Sequence, residues 1–170
     1  MNSLHQRVLE AKEERRFFQG GLRKKHGLPV ISLTLNLPGG FEGYNRWQAV
    51  FKEARDIINK TFSRGVVEHH HRLGKWGPEG FWVMDLPAET VKKQGMEIEE
   101  HHPLGRILDL DVLNEAGDIL SRRNFSMEGR LCVVCEKPAL ECYRGRIHEP
   151  WEVKEKVEEI IDKGLSSDAQ

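Results

Sequence analysis

A short apolar run that carries two aspartates constrains this chain more than any other feature. It spans residues 107–112 and follows Gly105 and Arg106. Because successive side chains of a β-strand point to opposite faces, Ile107, Asp109 and Asp111 would share one face. The other face would carry Leu108, Leu110 and Val112. The two carboxylates would then lie about 6.6 Å apart, which is two strand rises of about 3.3 Å. The run therefore predicts a strand with one core face and one charged face.

A charged pair on a strand needs partners, because unpaired buried carboxylates cost several kcal/mol. Carboxylate oxygens bind divalent cations, and such cations stabilise phosphate oxygens during displacement at phosphorus. The pair Asp109 and Asp111 therefore indicates a metal-assisted phosphoryl or nucleotidyl transfer. The alternative is that both aspartates lie on a solvated face of the sheet and pair with nearby arginines.

Arginines surround the aspartate strand in the sequence. A guanidinium presents a planar fork of donors that matches phosphate oxygens. For any single arginine, the alternative is that it only neutralises Asp109 or Asp111. The candidates for phosphate binding are Arg106, Arg122, Arg123 and Arg130.

The composition is that of a globular chain without a global charge field. The chain has 170 residues, of which 31% are charged and 38% hydrophobic, and its net charge is −1. This length favours one domain over residues 1–170, with a loose tail at residues 166–170. The near-zero charge argues against bulk nucleic-acid binding, and no apolar run reaches the ~20 residues that cross a bilayer. Three cysteines, an odd number, and the lack of a signal-like N-terminus predict a cytoplasmic location.

Hydrophobic periodicity predicts an α+β fold in which helices flank a mixed, mostly antiparallel sheet. Glycines and prolines supply the predicted boundaries. Helices are predicted over residues 2–18 (ended by Gly20-Gly21), from an Asn45 cap to near Gly65, over residues 87–97 and over residues 150–164, and strands over residues 30–37, 66–73, 80–86, the aspartate segment and Ile119-Leu120.

A cluster of metal-ligand residue types follows the arginines. Cys132, Cys135, Cys142 and His148 supply three thiols and an imidazole. This is a ligand set of structural zinc sites, and the two-residue gap between the first two cysteines suits a zinc knuckle. The alternative is that the cysteines are buried as small hydrophobic residues without a metal. In either case we expect the four side chains to lie close together.

The order of these motifs resembles one enzyme family. The matching block runs from His102 through the two aspartates to the cysteines, Arg144 and His148. Upstream, Glu14-Arg15-Arg16, the strand that begins at Pro29 and Gly77-Pro78-Glu79-Gly80 also fit. The resemblance covers about residues 7–163, and it is to the citrate lyase holo-[acyl-carrier-protein] synthases, also called apo-citrate lyase phosphoribosyl-dephospho-CoA transferases.

The resemblance implies an unusual nucleotidyl transfer. A serine hydroxyl on the acyl carrier (γ) subunit of citrate lyase attacks the α-phosphate of 2′-(5″-triphosphoribosyl)-3′-dephospho-CoA, and pyrophosphate leaves. Mg²⁺ becomes the expected cation at Asp109 and Asp111, and Zn²⁺ remains a structural alternative at the cysteines. The glycine before Asp-x-Asp also resembles polymerase-β-type nucleotidyltransferases, although their glycine motif lies further upstream. Arg106 is then predicted to be catalytic, and the predicted substrate-binding residues are Gly105, Arg106, Arg122, Arg123 and Arg130.

Three other functions compete with this interpretation. The malonate decarboxylase counterpart attaches the same prosthetic group to a different carrier, but the cysteine block favours the citrate lyase branch. A zinc-knuckle nucleic-acid module would use the cysteines and arginines, yet the neutral net charge counts against it. A protein-binding accessory subunit would leave the aspartate strand unexplained. We therefore expect neither nucleic acid nor membrane as a partner.

Overall fold

Five helices and five strands make up the part of the chain that the structure, a computed structural model, describes, residues 4–166. The α+β prediction is confirmed. The helices are α1 (Leu4–His26), α2 (Trp47–Thr61), α3 (Ala88–His101), α4 (Ala139–Gly145) and α5 (Pro150–Ser166), and the strands are β1 (Val30–Leu35), β2 (Val66–Gly74), β3 (Gly77–Met84), β4 (Leu108–Leu113) and β5 (Ile119–Leu120).

The strands form one sheet in the order β2-β3-β1-β4-β5. Every neighbouring pair of these strands is antiparallel, so the described sheet is not mixed. In the central pair, Ser32 of β1 lies opposite Asp111 of β4, and Thr34 lies opposite Asp109. The polar residues of β1 and β4 therefore lie side by side on one face of the sheet.

The two faces of the sheet pack against different helices. One face contributes Leu108, Leu110 and Val112 of β4 to the main hydrophobic core, which also contains apolar residues of α2, α3 and α5. The other face has a smaller cluster in which Leu22 of α1 packs with strand residues that include Leu113. The predicted division into an apolar and a charged face is thus confirmed within β4. The prediction was wrong for Ile107, which lies in a short 3-10 helix before the strand and packs in the main core.

Several boundaries differ from those predicted. Helix α1 continues through Gly20-Gly21 and ends at His26, and the φ of +67° at Gly27 suits the left-handed position after a helix. A turn of Lys75 and Trp76 joins β2 to β3, since Gly74 already pairs with Gly77. Helix α3 extends to His101, and α2 begins after Arg46 rather than after an Asn45 cap.

The chain ends and the helix lengths bear on two further predictions. Residues 167–170, most of the predicted loose tail, lie outside the described residues. The same holds for residues 2 and 3, with which the first predicted helix begins. No described helix has the length and apolar character needed to cross a membrane.

Candidate active site

The two aspartates lie beside an uncovered stretch of the β4 edge. Among the described strands, β5 pairs only with Val112 and Leu113, so no strand continues along the preceding residues. Asp109 and Asp111 line an open cavity of about 590 Å³ at this edge. The other walls are formed by residues of β5, of the arginine-rich turn that follows it (residues 121–130) and of the cysteine loop (residues 132–148). The tertiary structure thus places the carboxylate pair in a concave site.

Two buried charges of α3 replace the missing strand. Lys92 and Glu99 are only 5% and 4% exposed. The Lys92 Nζ donates to the carbonyl oxygen of Leu110 at 2.8 Å, and the Glu99 Oε1 accepts from the Leu110 amide at 2.8 Å. Leu110 lies between the two aspartates, so these bonds fix the backbone that carries both carboxylates. Both side chains also line the cavity.

The carboxylate pair is electrostatically unfavourable as it stands. Burial raises the pKa of the Asp111 carboxyl, and the negative charge of Asp109 raises it further. The positive charges of Lys92 and Arg15 act in the opposite direction without cancelling the rise. A divalent cation would remove this repulsion, and carboxylate oxygens are the donors that Mg²⁺ prefers. The donor set therefore fits the expected ion.

Arg122 and Arg130 line the cavity while they also hold the surrounding framework. Arg122 contacts Glu99 at 2.7 Å and Glu100 at 2.5 Å. Burial lowers the pKa of Arg122, but its bonds to these two glutamates outweigh that effect and raise it. Arg130 donates to three carbonyl oxygens between residues 105 and 108, at 2.8–2.9 Å. These bonds join the arginine-rich turn to the start of β4.

The other predicted residues occupy different positions. Arg123 is exposed at the cavity, and no ion pair joins it to an acidic residue within residues 4–166. Arg106 lines an adjoining cavity of about 390 Å³ and donates from Nη2 to the carbonyl of Leu131 at 2.6 Å.

Gly105 lines neither cavity. A Cβ there would approach the carbonyl oxygens of Ile98 and Glu99 to 2.5 Å, which explains the glycine by packing. Its substrate-binding role stays a prediction.

A third carboxylate lies on the polar face of the sheet. Glu79 of β3 is opposite Thr34 and is 2% exposed. Arg15 of α1 donates to its Oε1 at 3.0 Å, and Arg72 of β2 donates to its Oε2 at 2.9 Å. Two guanidinium groups thus balance Glu79. The positive charge of Arg15 also acts on Asp111, whose pKa it lowers.

Sequence reasoning missed Lys92 and Glu99. Both were visible as charged residues at positions of the buried stripe of α3, which includes Val91, Gly95 and Ile98. Charges on the apolar stripe of an amphipathic helix indicate a buried polar contact, because burial without a partner is costly. Arg144 of α4 also lines the cavity, and no local pattern in the sequence indicates that position.

The cysteine cluster forms as predicted. Single ligand atoms of Cys132, Cys135, Cys142 and His148 all lie within 4.8 Å of one another. The Cys135 and Cys142 sulfurs are 3.5 Å apart, and the His148 Nε2 is 3.2 Å from the Cys135 sulfur. A tetrahedral zinc site with Zn–S bonds of about 2.3 Å has sulfur–sulfur edges of about 3.8 Å, which is close to this spacing. The cluster could therefore hold a metal ion.

The thiols of this cluster are crowded. Burial raises the pKa of Cys142 to about 12, and hydrogen bonding with the Cys135 and Cys132 thiols contributes to the rise. A bound metal ion would stabilise the Cys142 thiolate, which this environment disfavours. Helix α4, which carries Cys142, also supplies Leu140 and Arg144 to the cavity wall, so the cluster and the aspartate site are adjacent.

Comparison with known proteins gives the family. The family model described as apo-citrate lyase phosphoribosyl-dephospho-CoA transferase matches residues 4–164. The chain belongs to this family. The apo-citrate lyase phosphoribosyl-dephospho-CoA transferase of Citrobacter koseri is 34% identical over 163 residues, which are 94% of this chain and 89% of the relative.

Two further relatives agree with this family assignment. The probable apo-citrate lyase phosphoribosyl-dephospho-CoA transferase of Vibrio cholerae is 39% identical over 93% of this chain and 90% of its own length. The apo-citrate lyase phosphoribosyl-dephospho-CoA transferase of Escherichia coli O7:K1 is 31% identical over 91% of this chain and 86% of its own length. The predicted family is confirmed, and these matches do not favour a malonate decarboxylase counterpart or a nucleic-acid module.

Proposed function

We propose that this chain transfers phosphoribosyl-dephospho-CoA from 2′-(5″-triphosphoribosyl)-3′-dephospho-CoA to a serine of the acyl carrier (γ) subunit of apo-citrate lyase in the cytoplasm. The serine oxygen forms a bond to the α-phosphorus, the bond to the bridging oxygen breaks, and pyrophosphate leaves with its electron pair. The serine proton is released during the transfer. The family match over residues 4–164 carries this proposal.

The site residues have chemistry that suits this reaction. Asp109 and Asp111 would hold Mg²⁺, which supplies positive charge for the oxygens of the triphosphate. Arg123 lies exposed at the cavity and Arg106 at the adjoining cavity, which supports a role for both in donating to phosphate oxygens. Arg122 and Arg130 present further donors while their bonds to glutamate and to backbone carbonyls keep the walls in position.

The proposed role of the cysteine cluster is structural. A Zn²⁺ ion bound by Cys132, Cys135, Cys142 and His148 would have four protein ligands and no open position for substrate. Such an ion stabilises a fold rather than taking part in the reaction. Its contribution here would be to hold α4 against the cavity.

Mass spectrometry of the carrier tests the activity directly. The purified chain is incubated with apo γ subunit, the triphosphoribosyl substrate and Mg²⁺, and the carrier mass and released pyrophosphate are measured. We expect the carrier to gain the prosthetic group and pyrophosphate to appear in equal amount. The carrier of malonate decarboxylase serves as the comparison substrate. A faster transfer to that carrier, or no transfer to either, contradicts the proposal.

A further inference from the structure

Exposed apolar side chains form a strip on the outside of the cysteine loop. The strip consists of Leu140 and Tyr143 of α4, Ile147 of the following turn and Trp151 at the start of α5. Tyr143 is 80% and Ile147 60% exposed. Leu140 and Tyr143 are three residues apart on α4 and therefore lie on one side of the helix, and Ile147 follows the left-handed Arg146 that ends it. We call this surface the α4 strip.

The α4 strip is held in place from its inner side. Cys142 of the same helix is buried and belongs to the metal-ligand cluster. The backbone amide of Ile147 donates to the carbonyl of Cys142 at 3.1 Å, which fixes the turn that carries the strip. Large apolar side chains that a rigid element presents together to solvent are typical of interaction surfaces. Tyrosine and tryptophan are also the residue types that contribute most binding energy at such surfaces.

The α4 strip is continuous with the aspartate cavity. Leu140 belongs to the strip and also lines the cavity that contains Asp109 and Asp111. A partner that rests on the strip therefore has its edge at the mouth of the cavity. A group of that partner could then enter the cavity without any rearrangement of α4.

Positive charges accompany the strip. Arg144 and Arg146 are exposed, and no ion pair joins either of them to an acidic residue in the described part of the chain. Glu141 of α4 lines the cavity together with Arg144, and Glu149 and Glu152 lie at the Trp151 end of the strip, so the positive charge is at Arg144 and Arg146. Unpaired arginines at the rim of an apolar surface favour a partner with acidic residues around an apolar contact area.

We propose that the α4 strip is the docking site for the carrier protein that presents the acceptor serine. The inference rests on the proposed function, because a transfer onto a protein requires a macromolecular surface beside the cavity. The occupant is a folded carrier with an apolar patch bordered by acidic residues, and the acceptor serine lies at the edge of that patch. The triphosphate substrate occupies the cavity itself, so the two substrates use adjacent surfaces.

A double substitution with a matched control tests the docking site. Tyr143→Ser combined with Ile147→Ser removes the centre of the strip. Leu73→Ser is the control, since Leu73 is 62% exposed on β2 at the opposite edge of the sheet. Binding of the apo carrier is measured without triphosphate, and steady-state kinetics are measured with both substrates. We expect about a tenfold or larger rise in Kd and in KM for the carrier, with KM for the triphosphate unchanged.

Two further measurements keep the result interpretable. Thermal melting and metal analysis show whether the double variant retains its fold and its cysteine cluster. If it does not, Trp151→Ser and Arg146→Glu are tested in its place. Arg146→Glu should weaken the salt dependence of carrier binding. Equal effects of the double variant and Leu73→Ser overturn the inference. Loss of self-association with unchanged carrier binding also overturns it, because the strip then contacts a second copy of the chain. A wild-type protein that binds the carrier but does not transfer contradicts the proposed function alone.

Discussion

Asp111 is the residue whose environment most opposes its ordinary ionisation. Burial and the neighbouring Asp109 both raise the pKa of its carboxyl, while Lys92 and Arg15 oppose that rise. A residue whose folded pKa exceeds its unfolded pKa stabilises the fold only while it is protonated. The charge of Asp111 therefore costs stability at neutral pH in the metal-free protein, as is common for groups kept for function rather than for folding.

Asp111→Asn is expected to raise the thermal midpoint of the metal-free protein at pH 7. The gain should shrink as the pH falls toward about 4, where an unfolded aspartate is about half protonated and the native carboxyl, with its raised pKa, is protonated to a greater extent. Turnover should fall by about a thousandfold or more, equivalent to about 4 kcal/mol of lost transition-state stabilisation. Melting curves in chelator and initial rates with Mg²⁺ measure both effects. The exposed Asp85→Asn is the control. Near-normal turnover of a folded Asp111→Asn protein would remove Asp111 from the site.

Arg106→Lys is expected to weaken use of the triphosphate. Lysine keeps the charge but lacks the planar fork that binds two phosphate oxygens, so kcat/KM for this substrate should fall by about tenfold. The exposed Arg64→Lys variant controls for a general effect of the replacement. If Arg106→Lys matches the wild type in both kcat and KM, the bond of Arg106 to the Leu131 carbonyl is its main role.

At the scale of elements, α3 substitutes for a strand along the edge of β4. Sheet edges leave amide and carbonyl groups without partners, and proteins cover them in various ways. Here Lys92 and Glu99 pair with both backbone groups of Leu110. Glu99 also binds Arg122 at 2.7 Å, so one buried carboxylate links α3, β4 and the arginine-rich turn. Glu99 therefore contributes to the stability of three elements around the cavity at once.

Glu99→Ala is expected to lower the free energy of unfolding by about 3 kcal/mol, because it leaves the Leu110 amide and the Arg122 guanidinium without their buried partner. Urea unfolding measures the change. Glu97→Ala is the matched control, since Glu97 lies on the same helix but is exposed, and its loss should cost about 0.5 kcal/mol or less. Similar losses for the two variants would show that the buried contacts contribute little.

At the scale of the whole molecule, two proposed metal sites have different chemistry: one lines the cavity, and the other lies behind the wall that α4 contributes. Carboxylates of β4 lie on the sheet side, and thiols and an imidazole lie on the side of α4. Hard oxygen donors favour Mg²⁺, whereas thiolates favour Zn²⁺. Removal of each ion should therefore have a distinct consequence.

Chelation of zinc is expected to lower the thermal midpoint and to reduce activity through loss of the cavity wall. Added Zn²⁺ should restore both properties, whereas excess Mg²⁺ should not restore the midpoint. Elemental analysis of the purified protein should find about one zinc ion per chain. A protein that contains no zinc, and whose activity after chelation returns fully with Mg²⁺, would mean that the cysteines are only packed.

Local patterns were sufficient for the features that depend on neighbouring residues. The alternation within residues 108–112 correctly predicted which face of β4 is charged, because side-chain direction in a strand follows from position alone. It failed at Ile107, because the strand does not extend to that residue. The cysteine cluster was predictable for a similar reason, since its ligands fall within residues 132–148 and a short loop keeps them near one another. The end of α1 was predicted too early, because the pair Gly20-Gly21 lowers the stability of the helix without ending it.

The amino-acid order thus decided the class of fold, the charged face of β4 and the ligand set of the cysteine loop. The tertiary structure alone decided that β5 pairs with only part of β4 and that Lys92 and Glu99 bond to the free edge of β4. It also decided that α4 forms one wall of the open cavity. These features join segments far apart in the chain, and their geometry depends on how helices pack against the sheet. Periodicity reports which face of an element is apolar, but it carries no information about which distant element that face will meet.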